Sequence, residues 1–451
     1  MTATELLAKY DVPGPRYTSY PTVPYWLRSP TAEEWLQHVE GAISRSRAAG
    51  QGGAMYIHVP FCRSLCHYCG CNTFISRDPS VSDPYVANLL KEWGLYTARL
   101  GRVRLDELHV GGGTPTYLTP AQLERMLGGI LATVELGPGA ELGIEADPRV
   151  TTKEQLEVLA KLGFRRLSLG IQDFDATVQH AVNRYQTVDE VRAVTEHARA
   201  LGFTSVNYDL IYGLPKQTPD SIQRTVDLVR TLRPDRLAFY GYAHVPWMKS
   251  FQRRFQDSDV PAGAQKRELY ELGQRLLLEA GYREIGLDHF ALEDDGLWKA
   301  FREGRMHRNF MGYTDRSTMP LFALGVSAIG DSWTAFAQNE KTVPDWTAAL
   351  DKGQLPITRG HVLDEEDLLL RRLILDVMTR FETRFDRKAT PYLEDMPVKL
   401  AELARDGLVE VTDSSVKVTE LGKPFVRNVC MAFDARLARK APDRPLFSRT
   451  V

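Results

Sequence analysis

The sequence contains little cysteine, little net charge and no long apolar run. Five of its 451 residues are cysteines, and its formal net charge is -2 at pH 7. A disulfide framework would spread more cysteines along the chain to close long loops, and so small a net charge gives no general attraction for nucleic acid or an anionic membrane. The N-terminus lacks a basic stretch followed by an apolar one, and no uncharged apolar run reaches about 18 residues. We therefore expect a cytoplasmic protein with no nucleic-acid partner and no membrane insertion.

Four of the five cysteines lie within ten consecutive residues. They are Cys62, Cys66, Cys69 and Cys71. Because the cytoplasm keeps thiols reduced, clustered cysteines there bind a metal or a metal cluster more often than they pair as disulfides. Structural zinc takes four ligands from two separated pairs, and no second pair is present, although His58 and His67 keep zinc open as an alternative. Three thiolates on a [4Fe–4S] cluster would leave one iron free to bind a small ligand.

From residue 54 to about residue 245, apolar runs rich in β-forming residues alternate with amphipathic stretches. The runs are AMYIHVPF, LDELHVGGG, ELGIEADP, RRLSLGIQDF, SVNYDLIYGLP and RLAFYGYAHV. This alternation predicts a parallel sheet covered by helices on both faces. Polar residues or glycines follow successive strands, which favours a barrel mouth over a doubly wound sheet. The predicted fold is α/β, a partial barrel of six βα units, in which Thr218 before Pro219 is the N-cap of one helix.

The chain is expected to divide into four parts. Residues 1–53 form an N-terminal arm and a leading helix, residues 54–250 the barrel, and residues 251–360 an extension of it. The arm VPGPRYTSYPTVPYW is too apolar for a disordered tail, so it is either a lid over the barrel mouth or a structural strap. Residues 361–451 form a mainly helical, winged-helix-like domain. They hold 16 Lys and Arg against 16 Asp and Glu, so this domain is interpreted as a cover or scaffold and not as a DNA-binding domain.

A second motif, HVGGGTPT, covers residues 109–116 after the second predicted strand. Glycines at such a position let the backbone approach a ligand without a Cβ in the way. The spacing CxxxCxxC, with Tyr68 before its last cysteine, resembles the motif of radical S-adenosylmethionine enzymes. In that family three thiolates bind a [4Fe–4S] cluster, the free iron binds the amino and carboxylate groups of S-adenosylmethionine, and the glycine loop contacts its methionine part.

Longer sequence strings narrow the resemblance to one family of radical S-adenosylmethionine enzymes. They are RYTSYPTVPYW, CxxxCxxCxC, GGGTPTYL, IEADP, LGIQDF, NYDLIYGLP, YAHVP, LDHFA, HRNFMGY and RNVCMAFD. Together they resemble the bacterial oxygen-independent coproporphyrinogen III oxidases from about residue 10 to the end of the chain. The resemblance implies anaerobic oxidative decarboxylation of the ring A and ring B propionates of coproporphyrinogen III, which yields protoporphyrinogen IX for heme synthesis. A radical is needed because no side-chain acid or base can break the unactivated propionate C–H bond.

The resemblance also implies cofactors and site residues for this chain. Cys62, Cys66 and Cys69 would bind one [4Fe–4S] cluster, and the chain would also bind two molecules of S-adenosylmethionine. We further expect that the protein is a monomer and that it receives electrons from a separate donor. The residues matched to the first S-adenosylmethionine are Tyr56, Gly112, Glu145 and Ile329. Those matched to the second are Tyr68, Gly113, Thr114, Gln172, Arg184, Asp209 and Ala243. Carboxylates can accept hydrogen bonds from ammonium or ribose hydroxyl groups, arginine can face a carboxylate, and tyrosine can stack on adenine.

Several of these residues have a purely structural alternative. Glu145 and Asp209 could cap a following helix, a role that fits Asp147 better than Glu145. Arg184 taken alone would usually lie on the surface, and Tyr56 in a buried strand would usually belong to the core.

Two cysteines have no ligand role in this interpretation. Cys71 either has a role close to the cluster and the radical or only packs against its neighbours. No residue is assigned a catalytic role. Cys430 is expected to be a buried apolar cysteine.

Two rival functions remain. The first is a heme chaperone, which would have the cluster motif but lack the CxC extension and the aromatic arm. The second is a radical enzyme that modifies tRNA, which would usually carry a basic domain.

Overall fold

The computed structural model describes residues 3–247, 249–386, 396–440 and 446–450. Its α-helices are α1 (Ala3–Tyr10), α2 (Ala32–Ala48), α3 (Ser82–Leu100), α4 (Pro120–Leu131), α5 (Lys153–Lys161), α6 (Ala176–Ala181), α7 (Val188–Ala200), α8 (Pro219–Leu232), α9 (Ala264–Glu279), α10 (Gly296–Arg302), α11 (Val343–Asp351), α12 (Glu365–Arg380), α13 (Met396–Arg405), α14 (Val426–Ala432) and α15 (Ala435–Arg439). Its strands are β1 (Gly53–Val59), β2 (Phe61–Cys62), β3 (Phe74–Ile75), β4 (Val103–Gly112), β5 (Val134–Ala146), β6 (Arg166–Gln172), β7 (Ser205–Tyr212), β8 (Arg236–Gly241), β9 (Arg283–Gly286), β10 (His289–Ala291), β11 (His307–Asn309), β12 (Gly312–Thr314), β13 (Leu321–Leu324), β14 (Ile329–Asp331), β15 (Ala335–Asn339), β16 (Ile357–Val362), β17 (Glu382–Arg384), β18 (Val409–Val411) and β19 (Ser415–Val418).

One sheet of 12 strands forms the centre of the fold, in the order β16-β15-β14-β13-β1-β4-β5-β6-β7-β8-β10-β9. The strands β1, β4, β5, β6, β7 and β8 are parallel neighbours in chain order, which confirms the six predicted strands. Helices connect them, as parallel strands require. In the described residues the edge strands β16 and β9 do not pair with each other, so the sheet is a partial and not a closed barrel.

Strands from residues 251–360 extend this sheet at both edges. β13 pairs with β1 in parallel, and β14, β15 and β16 continue from it in antiparallel order. At the other edge β10 and β9 add antiparallel strands to β8. The part of the chain that we expected to extend the barrel therefore builds the same sheet. The three boundaries between the four parts remain predictions.

Four helices that connect the parallel strands begin with the same cap. In each, a threonine side chain accepts a hydrogen bond from the backbone N–H three residues on, and the side chain at that position accepts one from the threonine N–H in return. The threonines are Thr119, Thr152, Thr187 and Thr218. Such caps satisfy N–H groups left free in the first turn and contribute about 1 kcal/mol each. The prediction of Thr218 as an N-cap before Pro219 is confirmed.

The N-terminal segment contributes to two hydrophobic cores. The first core lies between the central sheet and its helices and includes Trp35 and Val39 of α2. The second lies in the C-terminal region, among α12, α13 and α14. Four side chains of the N-terminal segment belong to this second core: Leu6, Tyr10, Tyr17 and Tyr20. The first residues of the chain are thus packed against some of the last.

The C-terminal region agrees with the predicted winged-helix-like outline. α13 leads into β18 and β19, which form an antiparallel pair, and β17 adds a third strand that the sequence did not suggest. Cys430 of α14 is fully buried in the second core, as predicted. Among the described residues, no helix combines the length and the apolar character needed to cross a membrane.

Candidate active site

A cavity of about 570 Å³ lies at the C-terminal ends of the parallel strands. Its wall is formed by the loop after β1, by residues of β4 to β8 and by β10. The predicted site residues on this wall are Cys62, Cys66, Tyr68, Cys69, Cys71, Gly112, Gly113, Thr114, Glu145, Gln172, Arg184, Asp209 and Ala243. Residues far apart in the sequence meet here because parallel strands all end at the same side of the sheet.

The cysteine loop is anchored by hydrogen bonds from neighbouring elements. The His67 N–H donates to the Val182 carbonyl at 2.9 Å, and the Asn183 side chain donates to the Leu65 carbonyl at 2.8 Å. Phe61 at the start of the loop packs between aromatic rings, among them Tyr85 at 5.2 Å. These contacts hold the loop so that Cys66 is buried, Cys62 and Cys69 are half-buried, and Cys71 is exposed.

The two histidines that left a zinc site as an alternative make other contacts in the structure. His58 has one ring nitrogen 3.0 Å from the Asn72 carbonyl and the other 3.1 Å from the Tyr56 hydroxyl. His67 faces the Ala181 carbonyl at 3.4 Å. Neither histidine is on the cavity wall. The side chains that converge with the thiols are therefore not these imidazoles.

Two arginines lie beside the buried thiol of Cys66. Arg184 Nη1 is 3.6 Å from Cys66 Sγ, and Arg149 Nη2 is 3.9 Å from it. Both guanidinium groups also pair with Asp147, at 3.2 and 2.6 Å. Burial alone would raise the pKa of Asp147, but Arg184 and Arg149 hold it below its usual range. The cysteine loop thus faces positive charge, which favours negatively charged sulfur.

The thiols differ in their readiness to ionise. Burial raises the pKa of Cys62 to about 11, although its sulfur lies 3.3 Å from the Thr114 hydroxyl. The pKa of Cys69 is lowered, first by a hydrogen bond with the Cys71 side chain. The same bond raises the pKa of Cys71.

The chemistry of the donors fits a [4Fe–4S] cluster. In the part of the chain that is described, no three His, Cys, Asp or Glu side chains are grouped to hold a single metal ion, so the fit is judged from the thiols and their surroundings. Cys62, Cys66 and Cys69 interact electrostatically with one another and line the same cavity. Thiolates are the usual ligands of iron–sulfur clusters, and the nearby arginines can offset the negative charge of such a site.

The glycine loop at the end of β4 is in tight contact with the chain itself. A Cβ on Gly113 would lie 2.5 Å from the Pro60 carbonyl oxygen, and one on Gly112 would lie 2.8 Å from the ring of His58. Gly112 also has φ of 120°, which side-chain-bearing residues rarely adopt. Both glycines reach the cavity wall, as predicted. The protein's own packing, in addition to any ligand, requires glycine at these positions.

Glu145 at the end of β5 is a half-exposed carboxylate held by two donors. Its Oε2 accepts a hydrogen bond from the Gly112 N–H at 3.1 Å, and its Oε1 lies 3.4 Å from His109 Nε2. Burial would raise the pKa of Glu145, but His109 and the Gly112 N–H keep it below the usual value. The following helix α5 is capped by Thr152. The alternative that Glu145, or Asp147 instead, caps that helix is wrong.

Asp209 on β7 is a half-buried carboxyl group with a raised pKa. Burial, followed by the charge of Glu145, raises the pKa of Asp209 to about 7. Ser168 and Asn207 donate hydrogen bonds to its two oxygens at 3.1 and 2.9 Å. The next helix, α8, is capped by Thr218, so Asp209 has no capping role either. It remains on the cavity wall, where a ligand can reach it.

Arg184 and Tyr68 occupy the same end of the cavity. Arg184 is only 6% exposed, so the alternative of an ordinary surface arginine is wrong. One of its nitrogens donates to the Gly170 carbonyl, whereas its Nε has no partner in the described residues. Burial raises the pKa of Tyr68, and the charge of Arg184 acts on the same hydroxyl group. An unpartnered N–H on a buried cation is well suited to an anionic ligand.

Two predicted residues are not on the cavity wall. Tyr56 lies inside β1, with its ring stacked on His109 at 6.3 Å, so it supports a residue of the wall. Ile329 lies in β14, opposite Gln338 of β15, on the part of the sheet beyond β13. Burial, followed by the charges of the nearby Glu145 and Cys71, nevertheless raises the pKa of Tyr56, whereas the structure does not bring Ile329 together with the other predicted residues.

Comparisons with known proteins identify the family. The Radical SAM superfamily model matches residues 56–229. The oxygen-independent coproporphyrinogen III oxidase of Pseudomonas aeruginosa is 41% identical over 99% of this chain and 98% of its own. The protein of that name from Escherichia coli is 39% identical over 99% of this chain and 98% of its own. The chain belongs to the oxygen-independent coproporphyrinogen III oxidase family.

A solved structure supports membership in this oxidase family. Coproporphyrinogen III oxidase from Escherichia coli, described as a radical SAM enzyme, has a TM-score of 0.87 and 38% identity, covering 93% of this chain and 97% of that chain. The predicted family, the radical SAM fold and the enzyme class are thereby confirmed. Membership implies a [4Fe–4S] cluster and S-adenosylmethionine as cofactors. Relatives that carry the oxidase name over nearly the whole chain also weigh against both rival functions.

Several residues of the oxidase cavity were missed by the sequence reasoning. His109 lies two positions before the first glycine of the loop, and Arg149 follows Asp147 by two positions, so both had a local signal. Arg166 and Arg236 begin β6 and β8 inside apolar strands, where arginine is unusual. His289 enters the cavity from β10, an antiparallel strand outside the six predicted units, and no local pattern could have placed it there.

Proposed function

We propose that this protein converts coproporphyrinogen III to protoporphyrinogen IX by oxidative decarboxylation of the ring A and ring B propionates. The observation that carries this function is the thiol-lined cavity in a chain 41% identical, over almost its full length, to an oxygen-independent coproporphyrinogen III oxidase. When bound, the cluster and S-adenosylmethionine supply a 5′-deoxyadenosyl radical that takes a hydrogen atom from the propionate. The substrate radical then loses carbon dioxide, transfers one electron to an acceptor outside this chain and forms the vinyl group.

Cys62, Cys66 and Cys69 are proposed to hold the cluster. Their place on one wall of the cavity supports this role. Arg149 and Arg184 would stabilise the negative charge on Cys66, since both approach its sulfur within 4 Å. An arginine that is also paired with a buried carboxylate keeps its position when the sulfur changes its charge.

Glu145 is proposed to receive the ammonium group of the S-adenosylmethionine on the cluster. Its lowered pKa keeps it ionised at neutral pH, and its half-exposed side chain faces the cavity beside Gly112. Tyr56 would act indirectly, because its ring packs on His109 and thereby orients the partner of Glu145. For Ile329 only the family resemblance supports a contact.

A second S-adenosylmethionine is proposed further along the same cavity. The residues that would contact it are Tyr68, Gly113, Thr114, Gln172, Arg184, Asp209 and Ala243. The free Nε of Arg184 suits a carboxylate, and the two oxygens of Asp209 suit ribose hydroxyl groups. A cavity of about 570 Å³ lies in the range of cofactor sites.

Cys71 is proposed to tune the cluster and not to bind it. The Cys71 and Cys69 side chains interact, so the Cys71 thiol could donate a hydrogen bond to a ligand sulfur, and such bonds raise the reduction potential of iron–sulfur clusters. Its exposure leaves the thiol next to the radical chemistry. The alternative, a packing role, has little support for a side chain that is exposed.

Working conditions of the enzyme are proposed as follows. The enzyme acts as a monomer in the cytoplasm, where thiols stay reduced. A separate donor delivers electrons to the cluster. The exposed residues after the cysteine loop, Phe74 and Ile75, offer such a donor an approach to the cluster side of the molecule.

An anaerobic assay tests the proposed function. Reconstituted protein receives coproporphyrinogen III, S-adenosylmethionine and a reductant, and protoporphyrinogen and 5′-deoxyadenosine are measured. We expect both products, with vinyl formation dependent on Cys62, Cys66 and Cys69. Binding of heme without vinyl formation would instead indicate the heme chaperone.

A further inference from the structure

Next to the cavity, four cationic side chains, two of them buried, surround one carboxylate. Arg16, Arg308, Arg427 and Lys266 all act electrostatically on Asp288. Among the described ion pairs, Asp288 is matched only with Arg16, at 3.3 Å. Arg427 donates to backbone carbonyls, among them those of residues 14 and 15. The region therefore contains cationic groups whose charge has no close carboxylate partner, an arrangement that attracts an anion.

Arg308 is the member of this cluster with the most unused hydrogen-bonding capacity. It is 6% exposed, and its Nε and Nη1 have no partner in the described residues. Its Nη2 has a long contact of 3.4 Å with the Arg16 carbonyl. Leaving donors of a buried cation unpaired lowers stability, because water no longer solvates them. Such groups mark places where a ligand, an ion or water completes the hydrogen bonds.

The position of Arg308 connects it to the cavity. Arg308 on β11 is directly opposite Tyr313 on β12, and its guanidinium lies 4.4 Å from the centre of that ring. Tyr313 lines the cavity, together with Tyr240 and His289. The rings of these three residues pack edge-to-face, with His289 5.1 Å from Tyr313 and 5.5 Å from Tyr240. The three rings form a continuous part of the cavity wall, and Arg308 lies directly behind it, against the ring of Tyr313.

The lowered pKa of His289 indicates a positive electrostatic potential at this wall. Burial, followed by the charge of Arg308 and then of Arg16, lowers the pKa of His289 to about 3. Its Nδ1 has no hydrogen-bond partner in the described residues. A neutral imidazole with a free nitrogen beside an unpaired guanidinium can add a hydrogen bond to the same anion.

We infer that Arg308 binds a carboxylate of the substrate at the end of the cavity formed by Tyr240, His289 and Tyr313. The inference rests on the proposed function, whose substrate carries four carboxylates. Two of these leave as carbon dioxide, and the other two remain throughout the reaction as permanent anionic groups. A retained carboxylate bound by Arg308 would fix which propionates are presented to the cofactor end, because a bidentate guanidinium–carboxylate pair sets both position and orientation.

The test uses anaerobically reconstituted holoenzyme and the substitution Arg308→Met. The probe is coproporphyrin III, the fluorescent oxidised form of the substrate, compared with its tetra-amide, in which all carboxylates are uncharged. We expect the Kd for coproporphyrin III to rise about 10- to 100-fold, as loss of one charged hydrogen-bonded pair predicts, and the Kd for the tetra-amide to stay within about twofold. Arg308→Lys should restore part of the affinity.

A matched control and a stability measurement separate ligand binding from a structural role. Arg305→Met removes a nearby exposed arginine whose side chain pairs with Glu303, and it should leave both Kd values unchanged. Because Arg308 is an unpaired buried cation, its replacement should keep the thermal unfolding midpoint or raise it. A lower midpoint together with unchanged binding of coproporphyrin III would overturn the inference.

The outcomes also distinguish this inference from the proposed function. If wild-type protein binds coproporphyrin III through Arg308 but forms no protoporphyrinogen, the oxidase function fails and the carboxylate site stands. If protoporphyrinogen forms and Arg308→Met binds and converts its substrate like the wild type, the function stands and the carboxylate site is wrong.

Discussion

At the scale of single residues, the cysteine loop assigns different tasks to neighbouring thiols. All four lie on the cavity wall, but two arginines approach Cys66, whereas Cys71 is exposed and its side chain interacts with that of Cys69. A ligand and its hydrogen-bond donor respond differently to the same substitution. The loss of a ligand removes the metal, but the loss of a donor alters only the electronic state of the cluster.

Serine at any of the three ligand positions should therefore remove the cluster, and serine at position 71 should not. We expect Cys62→Ser, Cys66→Ser and Cys69→Ser to lose most of the about four irons per chain, and Cys71→Ser and Cys71→Ala to retain them. Cys71→Ala, which removes the donor, should lower the reduction potential more than Cys71→Ser. Iron and sulfide analysis with EPR titration measures both effects. Loss of iron from Cys71→Ser alone would refute this ligand assignment.

Asp209 gives a second prediction at this scale. With a pKa of about 7, the carboxyl group changes from mostly protonated to mostly ionised as the pH rises from 6 to 8. If its ionised oxygens accept hydrogen bonds from a second S-adenosylmethionine, Asp209→Asn should reduce binding from two molecules per chain to one and flatten the pH dependence of activity in that range. Anaerobic equilibrium dialysis measures the number of bound molecules, and pH–rate profiles measure the pH dependence of activity. Two molecules bound with unchanged affinity would contradict the role.

At the scale of elements, Glu92 joins α3 to the far edge of the sheet and to α11. Its carboxyl group accepts hydrogen bonds from the Gly325 N–H, the Asn339 side chain and the Trp346 indole at 2.8, 2.6 and 3.0 Å. Glu92 is 0% exposed, and burial raises its pKa to about 7. Three elements thus depend on one carboxyl group whose charge is costly to bury.

The stability of the protein should consequently fall as the pH rises. A folded pKa of about 7 lies above the unfolded value of 4.5, so the proton stabilises the folded state fully below about pH 4.5, and this contribution is lost as the pH rises to about 7. The loss is at most about 3 kcal/mol. Chemical unfolding of wild type and Glu92→Gln at pH 5, 6 and 8 should show a flatter profile in the variant. The exposed Glu124→Gln, on α4, serves as the control and should retain the wild-type slope.

At the scale of the whole molecule, the N-terminal arm binds the C-terminal region to the barrel. The Tyr17 hydroxyl donates to Asp434 at 2.9 Å, and the Tyr25 hydroxyl donates to the Lys440 carbonyl at 2.8 Å. Trp26 stacks on Phe336 of β15, with ring centres 5.4 Å apart. These contacts support the strap, whereas the pairing of Arg16 with Asp288 near the cavity supports the lid. The two roles are compatible and can be measured separately.

Deletion of residues 1–26 should lower the stability of the protein substantially. The truncation removes Leu6, Tyr10, Tyr17 and Tyr20 from the second core. Full burial of each such side chain is worth about 1.5–3 kcal/mol, so several kcal/mol and a lower thermal midpoint are expected. Arg16→Gln keeps these apolar contacts and should keep the midpoint while it weakens decarboxylation. A truncated protein with an unchanged midpoint would show that the arm is no strap.

The sequence alone determined the cofactor chemistry and the central strands, because both are encoded locally. The spacing of Cys62, Cys66 and Cys69 and the glycine loop lie within short segments, and parallel strands follow from apolar runs that alternate with helices. Only the tertiary structure decided which polar side chains are buried together. Taken alone, Arg184 could be a surface residue, but the structure places it beside Asp147 and Cys66. His289 reaches the cavity wall from β10, and Arg308 of β11 packs on Tyr313 of that wall; both belong to antiparallel strand pairs that no local sequence pattern predicts. Their roles depend on contacts between distant segments, which are set by the packing of the whole chain.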